Sequence, residues 1–308
     1  MLATFNGELY LSEFLDSLSR QLGVKIHLVV SDDGSTDRTL EIIERFRYEF
    51  ASLSILTGPK LGPAKNFYFL IRNSSHSFIA LADQDDIWLP EHLQNSINRI
   101  RASHPKATMT AASVWEIDFD HENARIWPSN QNPFCFPRIF FENYIRGCTI
   151  VFNAEFRNLL NNFETQKTIM HDWWIGIIGW CFAEFSFSDY PEIIYRLHAG
   201  QNVGNKKRNL KNQLRNFKKS DFASTLLEQM YILKKNDLVG DSENLFKVFS
   251  LISILESPFL ERVKLLERNL NFRSRWYQNL IVKIVLFLGI PQWVQRRFRS
   301  RKTQPLND

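Results

Sequence analysis

Cysteine is scarce in this chain of 308 residues: there are three, Cys135, Cys148 and Cys181, an odd number at no metal-ligand spacing. That pattern supports neither a disulfide framework nor a structural zinc site, and reduced cytosol is the simplest setting. Long apolar runs are missing as well. The longest late stretch, Leu280 to Ile290, is interrupted by Lys283 and falls far short of the roughly 20 residues a bilayer span needs, so no spanning helix is expected. The opening Met1-Leu2-Ala3-Thr4 shows no basic region followed by an apolar core, and no secretory signal is expected. What is present is 44% hydrophobic and 14% aromatic residues, enough for a sizeable core and too much for a disordered chain.

Charge is unevenly spread. Residues 1 to 204 carry 17 Lys and Arg against 24 Asp and Glu, while residues 205 to 308 carry 21 against 9, so a net of −7 gives way to +12. The first part fits a catalytic region with carboxylate clusters. The second reads as a basic helical appendage that begins at Lys206-Lys207-Arg208, with residues 199 to 205 as the join. The expected domains are therefore 1–204 and 205–308. Within the appendage, Phe222 to Leu238, Ser242 to Leu255 and Pro258 to Leu270 alternate apolar and charged residues at helical spacing. Trp276 to Ile290 is more apolar, and Pro291 to Lys302 ends in a cationic cluster. Such a segment suits peripheral contact with an anionic membrane surface, and a solvated helical bundle is the equal alternative. No nucleic-acid motif accompanies these basic residues, and no nucleic-acid partner is expected.

The densest chemical signal is Phe78 to Trp88, F-I-A-L-A-D-Q-D-D-I-W, an apolar run that empties into three carboxylates. Phe78 to Ala82 reads as a buried strand. That puts Asp83, Asp85 and Asp86 at its carboxyl end, where open α/β sheets bind ligands. Three packed acids repel one another, so they call for solvent or for a hard cation such as Mg²⁺ or Mn²⁺; an acidic turn before a helix started by Pro90 is the plain alternative. Upstream, Ile26 to Ser31 reads as a second buried strand running into D-D-G-S-T-D at Asp32 to Asp37. Gly34 permits a tight turn, Ser35 or Thr36 can cap the next helix, and Asp37 favours its first turn.

In order along the chain, A-T-F-N-G, S-D-D-G-S-T-D, G-P-A-K-N-F, A-D-Q-D-D-I-W-L-P, R-G-C-T-I-V-F-N, H-D-W-W and Y-R-L-H-A-G-Q-N resemble family 2 glycosyltransferases. The likeness is strongest to the bacterial rhamnosyltransferase-like branch that makes surface polysaccharide, and it covers residues 1 to 204. It implies an α/β protein of GT-A fold, the mixed sheet with flanking helices of nucleotide-diphospho-sugar transferases, followed here by a C-terminal α-helical region. It also implies a nucleotide-sugar donor, a divalent cation and inversion at the anomeric carbon. By the same resemblance Phe5 stacks on the base, the backbone near Ala3 and Thr4, with Asp33, contacts the pyrimidine, and Asn6 belongs to the nucleotide-sugar site. Asp83 lies by the ribose, Asn66 faces the donor cleft, Asp85 binds the metal and Asp172 is the general base.

Elementary chemistry agrees with several of these roles. Charge builds on a departing diphosphate, and a metal held by Asp85 stabilises it there. An attacking hydroxyl must lose its proton, which one carboxylate in reach can take. Trp173 and Trp174 suit the apolar face of a sugar or lipid-linked acceptor, although both also fit the core of a helix Asp172 to Phe182, of which Asp172 would be the N-cap. His198 is a candidate third metal ligand, or a solvated loop histidine. Arg196 and Lys65 are candidate partners of the diphosphate.

One departure stands out: only Met1 and Leu2 precede A-T-F-N-G, so the first strand is expected to be short and its neighbours poorly paired, with the true start upstream or the nucleotide pocket damaged. The reading is therefore a metal-dependent, inverting glycosyltransferase at the cytoplasmic membrane face, moving a sugar such as rhamnose to a glycan or lipid-linked glycan. The alternatives are a non-catalytic nucleotide-binding scaffold of the same fold, and a phosphohydrolase or nucleotidyltransferase using the same carboxylates.

Overall fold

The computed structural model describes residues 1–103, 106–118, 123–128, 136–163, 170–198, 228–233, 243–256 and 283. The chain forms two compact units, Met1–Asn132 with Tyr144–Lys207, and Pro133–Asn143 with Arg208–Asp308.

The first unit is built on two sheets. Strands β1 (Leu2–Thr4), β2 (His27–Asp32) and β3 (Ser52–Thr57) are parallel, in the order β1-β2-β3. The second sheet runs β4 (Phe78–Ala80), β8 (Val151–Asn153), β6 (Thr108–Asp118), β9 (Glu184–Arg196) and β5 (Ile87–Trp88), with β7 (Asn123–Trp127) on β6. Of its pairings β6 with β9 is parallel and the rest antiparallel. A parallel bridge between Leu2 and Ala82 joins the two sheets. It is flanked by Met1 N donating to Ala80 O and Ala82 N donating to Met1 O, both at 2.8 Å. Short as it is, β1 is thus paired on both sides, and the carboxyl ends of β1, β2 and the segment after β4 lie next to one another.

Helices α1 (Leu11–Ser19), α2 (Thr39–Arg45), α3 (Pro63–Arg72), α4 (His92–Arg101), α5 (Ala154–Leu160) and α6 (His171–Phe182) flank these sheets. In α1 the apolar residues Leu11, Phe14, Leu15 and Leu18 recur at i, i+3, i+4 and i+7 and are buried, while Glu13 faces solvent. They pack with Leu2, Leu28, Val30, Ile43 and Trp88 into one core. Each fully buried aliphatic side chain there contributes about 1.5–3 kcal/mol. Helix α3 begins with Pro63 at its first turn, where a missing N–H costs nothing, and buries Phe67, Leu70 and Ile71.

In the second unit, α7 (Glu243–Glu256) carries a Lys247–Glu243 ion pair at 2.6 Å and buries Val248, Leu251 and Ile252. It covers the helix expected at Ser242 to Leu255. Of the helix expected at Phe222 to Leu238, residues 228–233 are described and helical. The expectations for Pro258 to Leu270, Trp276 to Ile290, Pro291 to Lys302 and the join at 199–205 lie outside the described residues. Among the described residues no helix is long and apolar enough to cross a membrane.

Candidate active site

The loops leaving β1 and β2 are laced together by side chains. Asp32 organises the turn after β2: its Oδ2 accepts from Gly34 N at 3.0 Å and Ser35 N at 2.8 Å, and its Oδ1 accepts from Ser35 Oγ at 2.5 Å and Thr4 Oγ1 at 3.0 Å. Gly34 sits at φ 98°, a conformation that favours glycine. Asn6 N donates to Ser35 Oγ, Asn6 Oδ1 accepts from Thr36 N, and Gly7 N donates to Thr39 Oγ1, all between 2.8 and 2.9 Å. Asp37 Oδ1 accepts from Thr39 N at 3.0 Å, so Asp37, rather than Ser35 or Thr36, engages the start of α2. Asp33 points the other way and accepts from Lys60 N at 2.8 Å and Gly62 N at 2.9 Å, fixing the loop into α3. Within this lacework Ala3 pairs with Ser31 in the sheet and Thr4 is buried. Phe5 is left 56% exposed.

The acids after β4 form a second cluster beside these loops. Asp86 is fully buried, and its Oδ2 has no hydrogen-bond partner. Burial first, and then the charges of Asp85 and Asp83, push its carboxyl well above the ordinary range, against hydrogen bonds from Cys148 and Arg196 N. The Asp83 carboxyl is pushed up to about 8, by burial first and then by the charges of Asp85 and Asp172, with Arg146 pulling the other way. Carboxylate oxygens of Asp83 and Asp86 and the Cys148 sulfur lie within 4.8 Å of one another. Asp85 Oδ2 meets His198 Nε2 at 2.9 Å.

Asp85 and His198 bring a carboxylate oxygen and an imidazole nitrogen to 2.9 Å of each other beside the raised carboxyls of Asp83 and Asp86, a donor set that could hold a divalent cation such as Mg²⁺ or Mn²⁺. Upward-shifted, partly orphaned carboxyls are also what a nearby positive charge relieves.

Arg196 fastens this cluster. Its Nε donates to Asp85 O at 3.1 Å, its Nη2 to Glu13 at 2.6 Å and its N to Asp86 Oδ1 at 3.3 Å, with the guanidinium 4.6 Å from the Tyr10 ring. The sequence expectation of Arg196 as a diphosphate ligand is corrected on this point: the guanidinium is buried and committed to the protein.

At the start of α6 the N-cap is Met170, so Asp172 is not the cap but the helix's second residue. It is 4% exposed, and its Oδ1 accepts from Trp173 N at 2.7 Å. Its negative charge reaches Asp83 and adds to the burial that pushes the Tyr68 phenol up. His171 stacks on Phe67 at 4.3 Å and burial lowers its pKa.

Two further expectations need correction here. Trp173 and Trp174 are interior side chains, Trp174 at 1% exposure with Nε1 donating to Phe163 O at 3.1 Å, because α6 past Asp172 carries no polar face and buries Trp173 to Gly179. Asn66 is also 1% exposed and donates from Nδ2 to Ser31 O at 2.8 Å, so it braces the end of β2 from behind instead of facing an open cleft. Lys65, beside it, is half-buried on α3.

Sequence reasoning missed Arg146, just ahead of Cys148. It is sandwiched between Trp127 at 4.2 Å and Tyr195 at 4.6 Å and paired with the buried Glu116, and it is the cation that moderates Asp83. The only signal was an arginine entering the otherwise uncharged run G-C-T-I-V-F-N.

A parallel three-stranded lobe bridged to a mixed sheet, with acids and a glycine turn gathered at the carboxyl ends of the strands, defines a GT-A fold. Residues 1–169 match the profile of Glycosyl transferase family 2, and the chain belongs to that family. It is 31% identical over 220 residues to the dTDP-rhamnosyl transferase RfbG of Shigella flexneri, covering 66% of this chain and 73% of that protein. It is 25% identical over 204 residues to the amylovoran biosynthesis glycosyltransferase AmsE of Erwinia amylovora, covering 64% and 74%. The crystal structure of S. aureus TarS superposes with a TM-score of 0.58 at 18% identity, covering 95% of this chain and 49% of TarS, so the chain spans about half of that protein. TarS 1–349 in complex with UDP-GlcNAc gives 0.51 at 17% identity, covering 85% and 82%. At that identity the likeness speaks for the fold alone.

Proposed function

We propose that the first unit moves a sugar from a nucleotide-diphosphate donor to a hydroxyl of a glycan or lipid-linked glycan, by a single inverting displacement, in bacterial surface polysaccharide synthesis. The observation that supports this reading is the exposed Phe5 held against the acid loop through Gln84, the pairing of Asp85 in that loop with His198, and an Asp172 carboxylate close enough for its charge to act on Asp83. Phe5 offers its ring face to the base, and the loop held by Asp33 borders the same edge. Asp85 and His198 are the groups that would hold Mg²⁺ or Mn²⁺, which when bound supplies positive charge to the departing diphosphate. Asp172 takes the proton of the acceptor hydroxyl as it attacks. The dTDP-rhamnose specificity named for RfbG favours rhamnose as the sugar. The basic region after residue 204 is where we place peripheral contact with the inner face of the membrane, supported by its net charge of +12.

Incubating the full chain with Mg²⁺ and a panel of dTDP-, UDP- and GDP-sugars, with a lipid-linked glycan acceptor, tests this. Donor-dependent release of nucleoside diphosphate is the expected result. Release of nucleoside monophosphate or free phosphate would mark a different use of the carboxylates, and nucleotide binding with no release at all would mark a scaffold.

A further inference from the structure

Between the acids stands Gln84, whose side-chain amide lies along the backbone of Phe5. Gln84 Oε1 accepts from Phe5 N at 3.0 Å, and Gln84 Nε2 donates to Phe5 O at 3.1 Å. A neighbouring strand would satisfy the same two backbone groups; here a side chain from the acid loop does it, at the point where β1 has ended. The approach depends on residue 7 being glycine, because a Cβ there would lie 2.5 Å from Gln84 Oε1 and 2.6 Å from its Cδ. The Phe5 ring itself stands 56% exposed, so its position is set through its backbone. That backbone is held on one side by Gln84 and on the next residue by the bonds of Asn6 to Ser35 and Thr36.

We propose that Gln84 is a positioning residue: it fixes the Phe5 ring as the platform for the donor's nucleobase and ties that platform to the loop carrying Asp85. The inference rests on the donor-site reading above. It assigns Gly7 the matching role of leaving room for the Gln84 amide. A platform that is already in place when the nucleotide arrives saves the ordering cost at binding, so loosening it weakens nucleotide affinity without touching the groups that meet the phosphates.

The test is calorimetric titration of dTDP, UDP and GDP, at fixed Mg²⁺, into the full chain and four variants: Gln84→Met, Gly7→Ala, Phe5→Ala and the double variant Phe5→Ala/Gln84→Met. Removing two backbone hydrogen bonds should raise the Kd of the tightest nucleotide about tenfold in Gln84→Met. Gly7→Ala, which only has to displace the flexible end of one side chain, should give a similar loss with little change in melting temperature. In the Phe5→Ala background, Gln84→Met should cost less than about twofold more, because the coupled pair is already broken. If Gln84→Met binds like wild type, or loses the same factor with and without Phe5, Gln84 does not act through the ring and the inference is overturned. If wild type binds none of the three nucleotides, the donor-site reading fails first and takes the inference with it.

Discussion

Asp172 brings a carboxylate into the first turn of α6 between His171 and Trp173, with only 4% of its surface exposed. Asn at this position keeps the size and the oxygen that accepts from Trp173 N but cannot take a proton. The expected outcome for Asp172→Asn is a fall in turnover of about 100-fold to 10,000-fold with donor affinity nearly unchanged. Parallel losses in binding and turnover would point to a folding role. Asp85→Asn separates differently. It should weaken nucleoside diphosphate binding only when Mg²⁺ or Mn²⁺ is present, and lose on the order of several kcal/mol of leaving-group stabilisation. Equal transfer by variant and wild type at limiting metal would sink the assignment. The cluster of Asp83, Asp85 and Asp86 at a strand end was legible because acids crowded after the apolar run Phe78 to Ala82 are costly to pack together. Arg146 was not, since its significance lies in Trp127, Tyr195 and Glu116, which only the fold brings around it.

At the scale of elements, α4 is pinned to β9 by a buried network. Glu192 Oε2 lies 2.9 Å from His92 Nδ1 and from Arg99 Nη2, and Oε1 accepts from Arg99 Nη1 at 2.6 Å. Burial pushes the Glu192 carboxyl up, but the hydrogen bonds and charges of His92 and Arg99 outweigh it and hold it below its ordinary value. Burial lowers His92 despite the raising effect of Glu192. Both shifts act in the same direction on stability. Below about pH 6.5 the unfolded chain protonates His92 while the folded chain resists, so stability begins to fall. Below about pH 4.3 the unfolded Glu192 protonates first as well, and its contribution is lost as pH drops through the folded value. The raised carboxyls of Asp83 and Asp86 act in the opposite sense over the same range, so the network is read as a difference: the melting-temperature advantage of wild type over His92→Gln should shrink as pH falls from 7 to 5. A difference that stays constant over that range would contradict the network. Elements of this kind were partly readable: β2 and β4 lie where apolar runs precede acids, and Pro63 opens α3 as its fixed φ suggests. Of the two readings open for Trp173 and Trp174, an acceptor surface or a helix core, the lack of any polar residue from Trp173 to Phe182 favours the core, where both lie.

Across the whole molecule the contrast is electrostatic, −7 before residue 205 and +12 after it. Each Lys or Arg close to an anionic bilayer contributes on the order of 1 kcal/mol, and salt screens it. The full chain should sediment with phosphatidylserine or phosphatidylglycerol vesicles at low salt and be released at high salt. If it ignores them at low salt, the basic region is better understood as a packing or partner surface. The bridge between Leu2 and Ala82, with the Met1 bonds beside it, is where the parallel lobe meets the mixed sheet. A nucleotide seated on Phe5 and on the loop of Asp85 would lie across that seam, since one group follows β1 and the other follows β4. Such a ligand would bridge the two sheets of the first unit above the core they share. At a hundredfold excess over its Kd it would stabilise the folded state by about 2.7 kcal/mol, and the amide of Ala82 would then report, by hydrogen exchange, whether the site is loaded.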